Sequence, residues 1–269
     1  MLQRSIRKLQ SLIDPAALDT GGMTTEILSD DVFLVSYPKS GNTWMRFLVG
    51  NYLTGCDLDF SNVDLTIPDI HFNPQRCADI KVKPRFVKSH KSYTAAYPKV
   101  VYIVRDGRDV AVSYYYYMQK KRRITSTTSF SDFLQKFAKN GAGGFGNWSD
   151  HVKSWTRKAD RNNILLIKYE DILLDAAKQL NKVMEFANIE DVNQDRITNA
   201  VHASLFEKMQ KLEAKQQDSY FFTRYKTQNE AVQFLRKGKS ENWHLHFSQE
   251  DEALFLKFNG KTLRSLGYV

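Results

Sequence analysis

The run Tyr37-Pro38-Lys39-Ser40-Gly41-Asn42-Thr43-Trp44 collects what an oxyanion needs. Gly41 lets the backbone come close to a ligand, Lys39 brings a cation, and Ser40, Asn42 and Thr43 bring hydroxyl and amide donors. A helix starting near Asn42 adds free N–H groups and the positive end of its dipole. The group such a cradle fits is a phosphate or a sulfate. A Walker A loop, G-x-x-x-x-G-K-[ST], is excluded because Lys39 precedes Gly41. Spacing alone also fits a plain strand-to-helix turn with surface polar residues. Trp44 fits either a ligand stack or the buried face of the helix.

A second group of chemistry-bearing residues is Lys88-Ser89-His90. Imidazole titrates near neutrality and can take a proton from a nucleophile. A lone histidine is most often structural, and we assign His71, His151, His202, His244 and His246 to structure or surface. His244-x-His246 has no two further ligands beside it, so no metal site is expected. Cys56 and Cys77 are too few for a disulfide framework and match no metal motif.

These residues need elements to hold them. Val32–Val35, Phe86-Val87, Val100–Val104 and Ile164–Ile167 are short apolar runs of the kind that form buried strands. Helical patterns follow: one from Asn42 through Tyr52, one through Val110 and Tyr117, and others over Ile172–Ala187, Gln194–Lys215 and Gln249–Leu266. Strands alternating with helices imply an α/β domain with a central parallel β-sheet flanked by helices, whose ligands gather at the carboxyl ends of the strands. The polar clusters at Lys39, His90, Arg105 and Tyr169 all sit at such ends. Ser5–Leu12 reads as a short basic helix and Asp14–Met23 as a loop. Lys120–Thr128 reads as a mobile loop with a solvated basic face, and Asn140–Gly146, with four glycines, as a flexible loop.

Composition fits one α/β domain: 269 residues, 42% hydrophobic, with no linker of Pro, Gly and Ser. Lys plus Arg exceeds Asp plus Glu by 39 to 30, a net charge of +9 that suits an anionic ligand or a soluble surface equally. No run approaches roughly 18 apolar residues, and Met1–Leu18 lacks a signal peptide's apolar core, so a cytoplasmic chain with no membrane partner is expected.

The string from Tyr37 to Trp44 resembles the 5′-phosphosulfate-binding loop of the cytosolic sulfotransferase family. Arg105 with Ser113, in VRDGRDVAVSYYYY, resembles that family's 3′-phosphate-binding strand and helix. Arg236-Lys237-Gly238, in FLRKGKSENW, resembles its loop that closes over the nucleotide. The three fall in the family's order, and the resemblance runs from Val32 to Leu266-Gly267-Tyr268.

The resemblance implies a single-domain, P-loop NTPase-like sulfotransferase fold over residues 31–269, with residues 1–30 an N-terminal extension packed on it. It implies the co-substrate 3′-phosphoadenosine 5′-phosphosulfate (PAPS), the product adenosine 3′,5′-bisphosphate (PAP), no metal, no nucleic acid, and a small-molecule acceptor. By the same resemblance Lys39, Ser40, Gly41, Asn42 and Thr43 hold the 5′-phosphosulfate and Trp44 stacks on adenine. Arg105, Ser113, Arg236, Lys237 and Gly238 bind the 3′-phosphate; Tyr169 and Ser204 contact the adenosine and Phe206 packs on the base. His90 is the general base, with Lys39 and Lys88 as stabilising cations.

Glu241-Asn242-Trp243-His244 departs from the family's Gly-Asp-Trp-Lys stretch, and His244–Gln249 lacks the usual dimer motif. A monomer, or a dimer built another way, is expected. The aromatics Tyr114–Tyr117, Phe145, Trp148, Tyr220, Phe221 and Phe222 fit an acceptor pocket and core packing equally. The rival readings are an ATP-dependent kinase, which would need a Walker A loop and a carboxylate for Mg²⁺, and a non-catalytic PAP-binding or nucleic-acid-binding protein, which leaves Lys39, Lys88 and His90 together unexplained.

Overall fold

Alternation along the strands sets the architecture. The computed structural model describes residues 26–72, 77, 80, 83–158, 162–223, 229 and 231–269. The expectations for Ser5–Leu12 and Asp14–Met23, and most of the extension 1–30, lie outside the described residues. In β1 (Val32–Ser36) all five residues are buried. Val32 and Leu34 enter one apolar cluster while Phe33 and Val35 enter another, as the two-residue period of a strand requires. Strands β2 (Phe86–Ser89), β3 (Lys99–Val104) and β4 (Ile164–Lys168) complete a sheet of order β2-β1-β3-β4. All three pairings are parallel, with Val32 opposite both Phe86 and Lys99, and Val100 opposite Ile164.

Each crossover carries helices to a face of the sheet. On one face α1 (Asn42–Thr54) contributes Met45, Leu48, Val49 and Tyr52 to a cluster with Val32, Leu34, Val101 and Ile103. On the other, α2 (Gly107–Lys120), α3 (Phe130–Asn140) and α4 (Trp148–Lys158) pack Val110, Leu134, Trp148 and Trp155 against Phe33, Val35 and Tyr102. Complete burial of each such side chain contributes about 1.5–3 kcal/mol. With both faces covered, the open carboxyl edge is where ligand-binding residues can reach solvent.

Elsewhere the helices are more broken than periodicity suggests. The stretch expected as one helical run from Ile172 forms α5 (Tyr169–Leu174) and α6 (Ala176–Phe186), because Asp175 leaves the helix and its side chain accepts from the Lys178 N–H as an N-cap. Likewise Gln194–Lys215 divides into α7 (Gln194–Ala203) and α8 (Phe206–Lys215) at Ser204-Leu205. The final helix, α9 (Gln249–Ser265), starts with a capping box between Ser248 and Asp251.

Two loop expectations are corrected. Lys120 is the last residue of α2 and is fully buried, and Lys121 is 7% exposed, so these two do not form a solvated face. The glycine-rich Asn140–Gly146 is tied down: the Tyr37 hydroxyl donates to Gly146 O at 3.0 Å and accepts from the Ala142 N–H at 3.3 Å. Gly141 is needed there, since a Cβ would lie 1.6 Å from Gly146 O. No described helix is long and apolar enough to cross a membrane.

Candidate active site

Where β1 ends, the chain turns through two left-handed residues, Lys39 (φ 73°) and Gly41 (φ 99°). At Gly41 a Cβ would fall 2.5 Å from Tyr169 Cδ2, so steric fit and dihedral both call for glycine. Gly41 is also the N-cap of α1 and offers no side-chain cap, which leaves the first N–H groups of a 13-residue helix facing the turn. Asn42 fastens this turn to the sheet, its amide donating to Leu34 O (2.9 Å) and Ser36 Oγ (3.3 Å). The Lys39 ammonium lies 3.8 Å from the centroid of Phe234 and 4.8 Å from that of Tyr117. Enclosure pulls its pKa down to about 7; the positive charges of Arg105, Lys120 and Arg236 add to this and Glu213 opposes it.

Arg105, just past β3, places its Cζ over the Tyr169 ring, 4.3 Å from the centroid. Its guanidinium donates to Lys39 O (3.4 Å) and Lys239 O (2.9 Å) and lies 3.7 Å from Asp109. The segment carrying Arg236, Lys237 and Gly238 crosses the same opening. Arg236 stacks on Tyr116 at 4.5 Å, and Lys237 donates to Asn242 at 2.9 Å. Gly238 (φ 60°) rests on Phe206, 2.4 Å from where a Cβ would be. Ser40 Oγ and Arg105 Nε are buried with no hydrogen-bond partner among the described residues. Unspent donors, an uncapped helix end and converging cations together fit a ligand with two separate anionic groups.

His90 sits just past β2, and its backbone and ring are both fixed. Its Nδ1 is 2.7 Å from Ser36 O, a carbonyl that can accept and not donate, so the proton of the neutral ring is on Nδ1 and Nε2 carries the lone pair. The His90 N–H donates to His71 Nε2 (3.0 Å), and His151 Nε2 donates to His90 O (3.0 Å) while its Nδ1 accepts from the Tyr102 hydroxyl (2.9 Å). Burial, then the nearby Lys88 charge, holds the His90 pKa well below its ordinary 6.5. Lys88 forms a buried ion pair with Asp69, whose other oxygen accepts from the His71 N–H at 3.1 Å.

One cavity brings most of these residues together. Lys39, Gly41, Asn42, Thr43, Trp44, Lys88, His90, Arg105, Ser113, Tyr169, Phe206, Arg236, Lys237 and Gly238 all line it. Ser40 and Ser204 do not. Ser204 is fully buried behind Trp44, its carbonyl accepting from the indole N–H (2.9 Å) and its hydroxyl from Asn51 (3.0 Å). Of the expected pocket aromatics, Tyr114, Tyr117, Phe145 and Phe221 line the cavity, while Trp148 and Phe222 are core. The Tyr220 side chain lies outside the described residues. Sequence reading missed His71, Phe72 and Phe234 in the wall, and the buried partners Asp69, Asp109 and Glu213. No local motif marks them; Pro68 before Asp69 is the nearest signal. Among the described residues, no group of three or more His, Cys, Asp or Glu is placed to hold a metal ion.

The model of the family described as "Sulfotransferase domain" matches residues 29–267. The chain belongs to the sulfotransferase domain family. It is a PAPS-dependent sulfotransferase, an enzyme that moves a sulfuryl group from PAPS to an acceptor. Among its relatives, mouse (Mus musculus) sulfotransferase 1E1 is 30% identical over 249 residues, covering 86% of this chain and 81% of that protein. Human (Homo sapiens) sulfotransferase 1C2 is 28% identical over 263 residues, covering 91% and 88%. The solved structure of mouse sulfotransferase SULT7A1 complexed with PAP superposes with a TM-score of 0.70 at 26% identity, covering 94% of this chain and 89% of that one. Retinol dehydratase in complex with androsterone and PAP shares the fold, with a TM-score of 0.73 at 22% identity and coverage of 94% and 85%.

Proposed function

We propose that this sulfotransferase holds the 5′-phosphosulfate of PAPS in the cradle of Lys39, Ser40, Gly41, Asn42 and Thr43. Its 3′-phosphate lies between Arg105, Ser113 and the Arg236–Gly238 segment, with the adenine against Trp44, Tyr169 and Phe206. The observation that carries the reading is that one cavity gathers the cations Lys39, Lys88, Arg105, Arg236 and Lys237, the His90 imidazole and a set of aromatic rings. His90 packs edge-on against Phe145 at 5.6 Å and feels the charge of Lys88.

PAPS supplies an activated sulfuryl group on its 5′-phosphate. His90 Nε2 takes the proton from a hydroxyl or amine of the acceptor as that atom attacks sulfur, while Nδ1–H stays on Ser36 O. A new bond forms from the acceptor atom to sulfur. The bond from sulfur to the bridging oxygen breaks, and its electron pair leaves with PAP. Lys39, and Lys88 as it exchanges part of its hold on Asp69, face the negative charge that grows there. The lining rings of Phe72, Phe145, Tyr117, Phe221 and Phe234 fit the flat apolar body of a small-molecule acceptor. In this reading the enzyme acts in the cytoplasm without nucleic-acid or membrane partners, as a monomer or as a dimer that does not use the family's usual motif.

Thermal shifts with PAP, ADP and 5′-AMP on wild type and Arg105→Ala test the nucleotide assignment. A ligand at ~100 times its dissociation constant stabilises by about 2.7 kcal/mol. A shift with PAP that exceeds those with ADP and 5′-AMP, and is lost in Arg105→Ala, is expected. Equal shifts with all three would remove the 3′-phosphate site.

A further inference from the structure

The segment from Val232 to Trp243 contains no helix or strand until Asn242, yet it crosses the cavity mouth on a fixed course. Two buried carboxylates hold its ends. At the far end Asp109, on α2, accepts from the N–H groups of Glu241 (2.8 Å) and Trp243 (3.0 Å). At the near end Glu213, 3% exposed in the last turn of α8, accepts from Phe234 N–H (2.6 Å) on one oxygen and Leu235 N–H (2.7 Å) on the other. Lys120, fully buried at the end of α2, donates to Val232 O (2.8 Å) and lies 3.7 Å from the same Glu213 carboxylate. Gln210, one turn earlier on α8, donates to Leu235 O at 2.8 Å. Arg236, Lys237 and Gly238 are suspended between the two holds, and Phe234 is set over the Lys39 ammonium.

A carboxylate in this position is costly to bury unless it is fully bonded and has a counter-ion, and Glu213 has both. A strap carrying Arg236, Lys237 and Lys239 would otherwise spread its like charges into solvent. Charge-assisted bonds to two consecutive N–H groups fix the strap's direction where it enters the site. These bonds go to backbone groups of the strap just before and after Arg236–Gly238, so their effect falls on the residues that meet the nucleotide.

We propose that Glu213 and Lys120 are positioning residues that hold the strap closed, so that Arg236, Lys237 and Gly238 are arranged for the 3′-phosphate before the nucleotide arrives. The inference rests on the reading that those three residues bind that phosphate. Preorganisation of this kind acts mainly on the dissociation rate and on KM for PAPS, with kcat little changed.

The test compares the full chain with Arg236→Ala, Glu213→Gln and Lys120→Met. Dissociation constants and off-rates are measured for PAP and for 5′-AMP, which lacks the 3′-phosphate. Glu213→Gln is expected to weaken PAP about tenfold, chiefly through a faster off-rate, and to weaken 5′-AMP clearly less, by the charge that Lys39 loses as a neighbour. KM for PAPS should rise in parallel while kcat stays within about threefold. Lys120→Met, which frees Val232 and leaves the carboxylate in place, should move PAP affinity in the same direction, and it decides the matter should Glu213→Gln not fold. A lower melting temperature with unchanged PAP affinity in both variants would show a purely structural pair and overturn the inference. PAP weakened by Arg236→Ala and by neither other variant overturns the inference alone. PAP affinity unchanged in Arg236→Ala overturns the reading of the strap as well.

Discussion

Lys39 gives the most demanding prediction, because enclosure in the cavity lowers its pKa from 10.5 to about 7. An anion bound beside it favours the charged form, so binding takes up a proton and affinity must fall as pH rises above 7. With the pKa restored to its ordinary 10.5 in the complex, the free protein is about half protonated at pH 7 and about one-hundredth at pH 9. PAP affinity should therefore drop about 50-fold between these pH values, or roughly 2.3 kcal/mol at 1.36 kcal/mol per pKa unit. The ligand's own phosphates, with second ionisations near pH 6, are already about nine-tenths in their fully charged form at pH 7 and change little above it. Calorimetry at pH 8 in two buffers of different ionisation enthalpy should report uptake of about 0.9 proton per PAP. Lys39→Arg keeps the cation at all these pH values and should flatten the profile. Equal slopes in wild type and Lys39→Arg would show that the lysine is already charged in the free protein, and the account of its environment would be wrong.

Two further predictions concern the base and the cradle. His90→Ala should lower kcat by about 10²–10⁴ and leave PAP affinity within about twofold, measured by turnover on a true acceptor and by PAP titration; full turnover would remove His90 as the base. In the wild type the depressed pKa keeps the ring neutral down to acid pH, so the acid limb of kcat/KM that reports His90 should lie below 6.5. Gly41→Ala forces a Cβ to within 2.5 Å of the Tyr169 ring at φ 99°. Strain of about 1–3 kcal/mol is expected, read as a fall of roughly 2–4 °C in Tm per kcal/mol together with weaker PAP binding. A variant with wild-type Tm and PAP affinity would mean that the turn has more room than this packing implies.

The sheet was legible because the strands begin as short apolar runs and each leads at once into a polar cluster, which in β2 (Phe86–Ser89) already starts inside the strand at Lys88. The two-residue period that sends Val32 and Leu34 to one face and Phe33 and Val35 to the other is a property of sequence alone. Helix ends were less legible. Asp175 and Ser204 interrupt runs whose apolar spacing continues across the break, so periodicity joined what local capping separates. Within the site, residues that declare their chemistry locally, Lys39, Gly41, His90 and Arg105, stand out in the sequence, and the structure gathers them in one cavity.

What stayed hidden were charged residues paired across long sequence separations. Lys120 opens a run of four basic residues, and nothing nearby distinguishes it from a solvated lysine. Its partner Glu213 lies 93 positions away (213 − 120) in a helix where every other Lys and Glu looks alike. Asp69 with Lys88 and Asp109 with the strap are the same case. A buried carboxylate is costly unless the fold supplies a cation and N–H donors, so each such position reports a constraint that tertiary structure imposes and that local pattern cannot carry. Glu213 and Asp109 share an end: both spend their oxygens on backbone N–H groups of the strap. Of the residues least visible in sequence, Glu213, Lys120 and Asp109 hold the strap across the cavity mouth, whereas the visible ones line its floor at the strand ends. Substitutions at Glu213 and Lys120 should therefore alter how long the nucleotide stays, whereas His90→Ala should alter how fast the bound donor reacts.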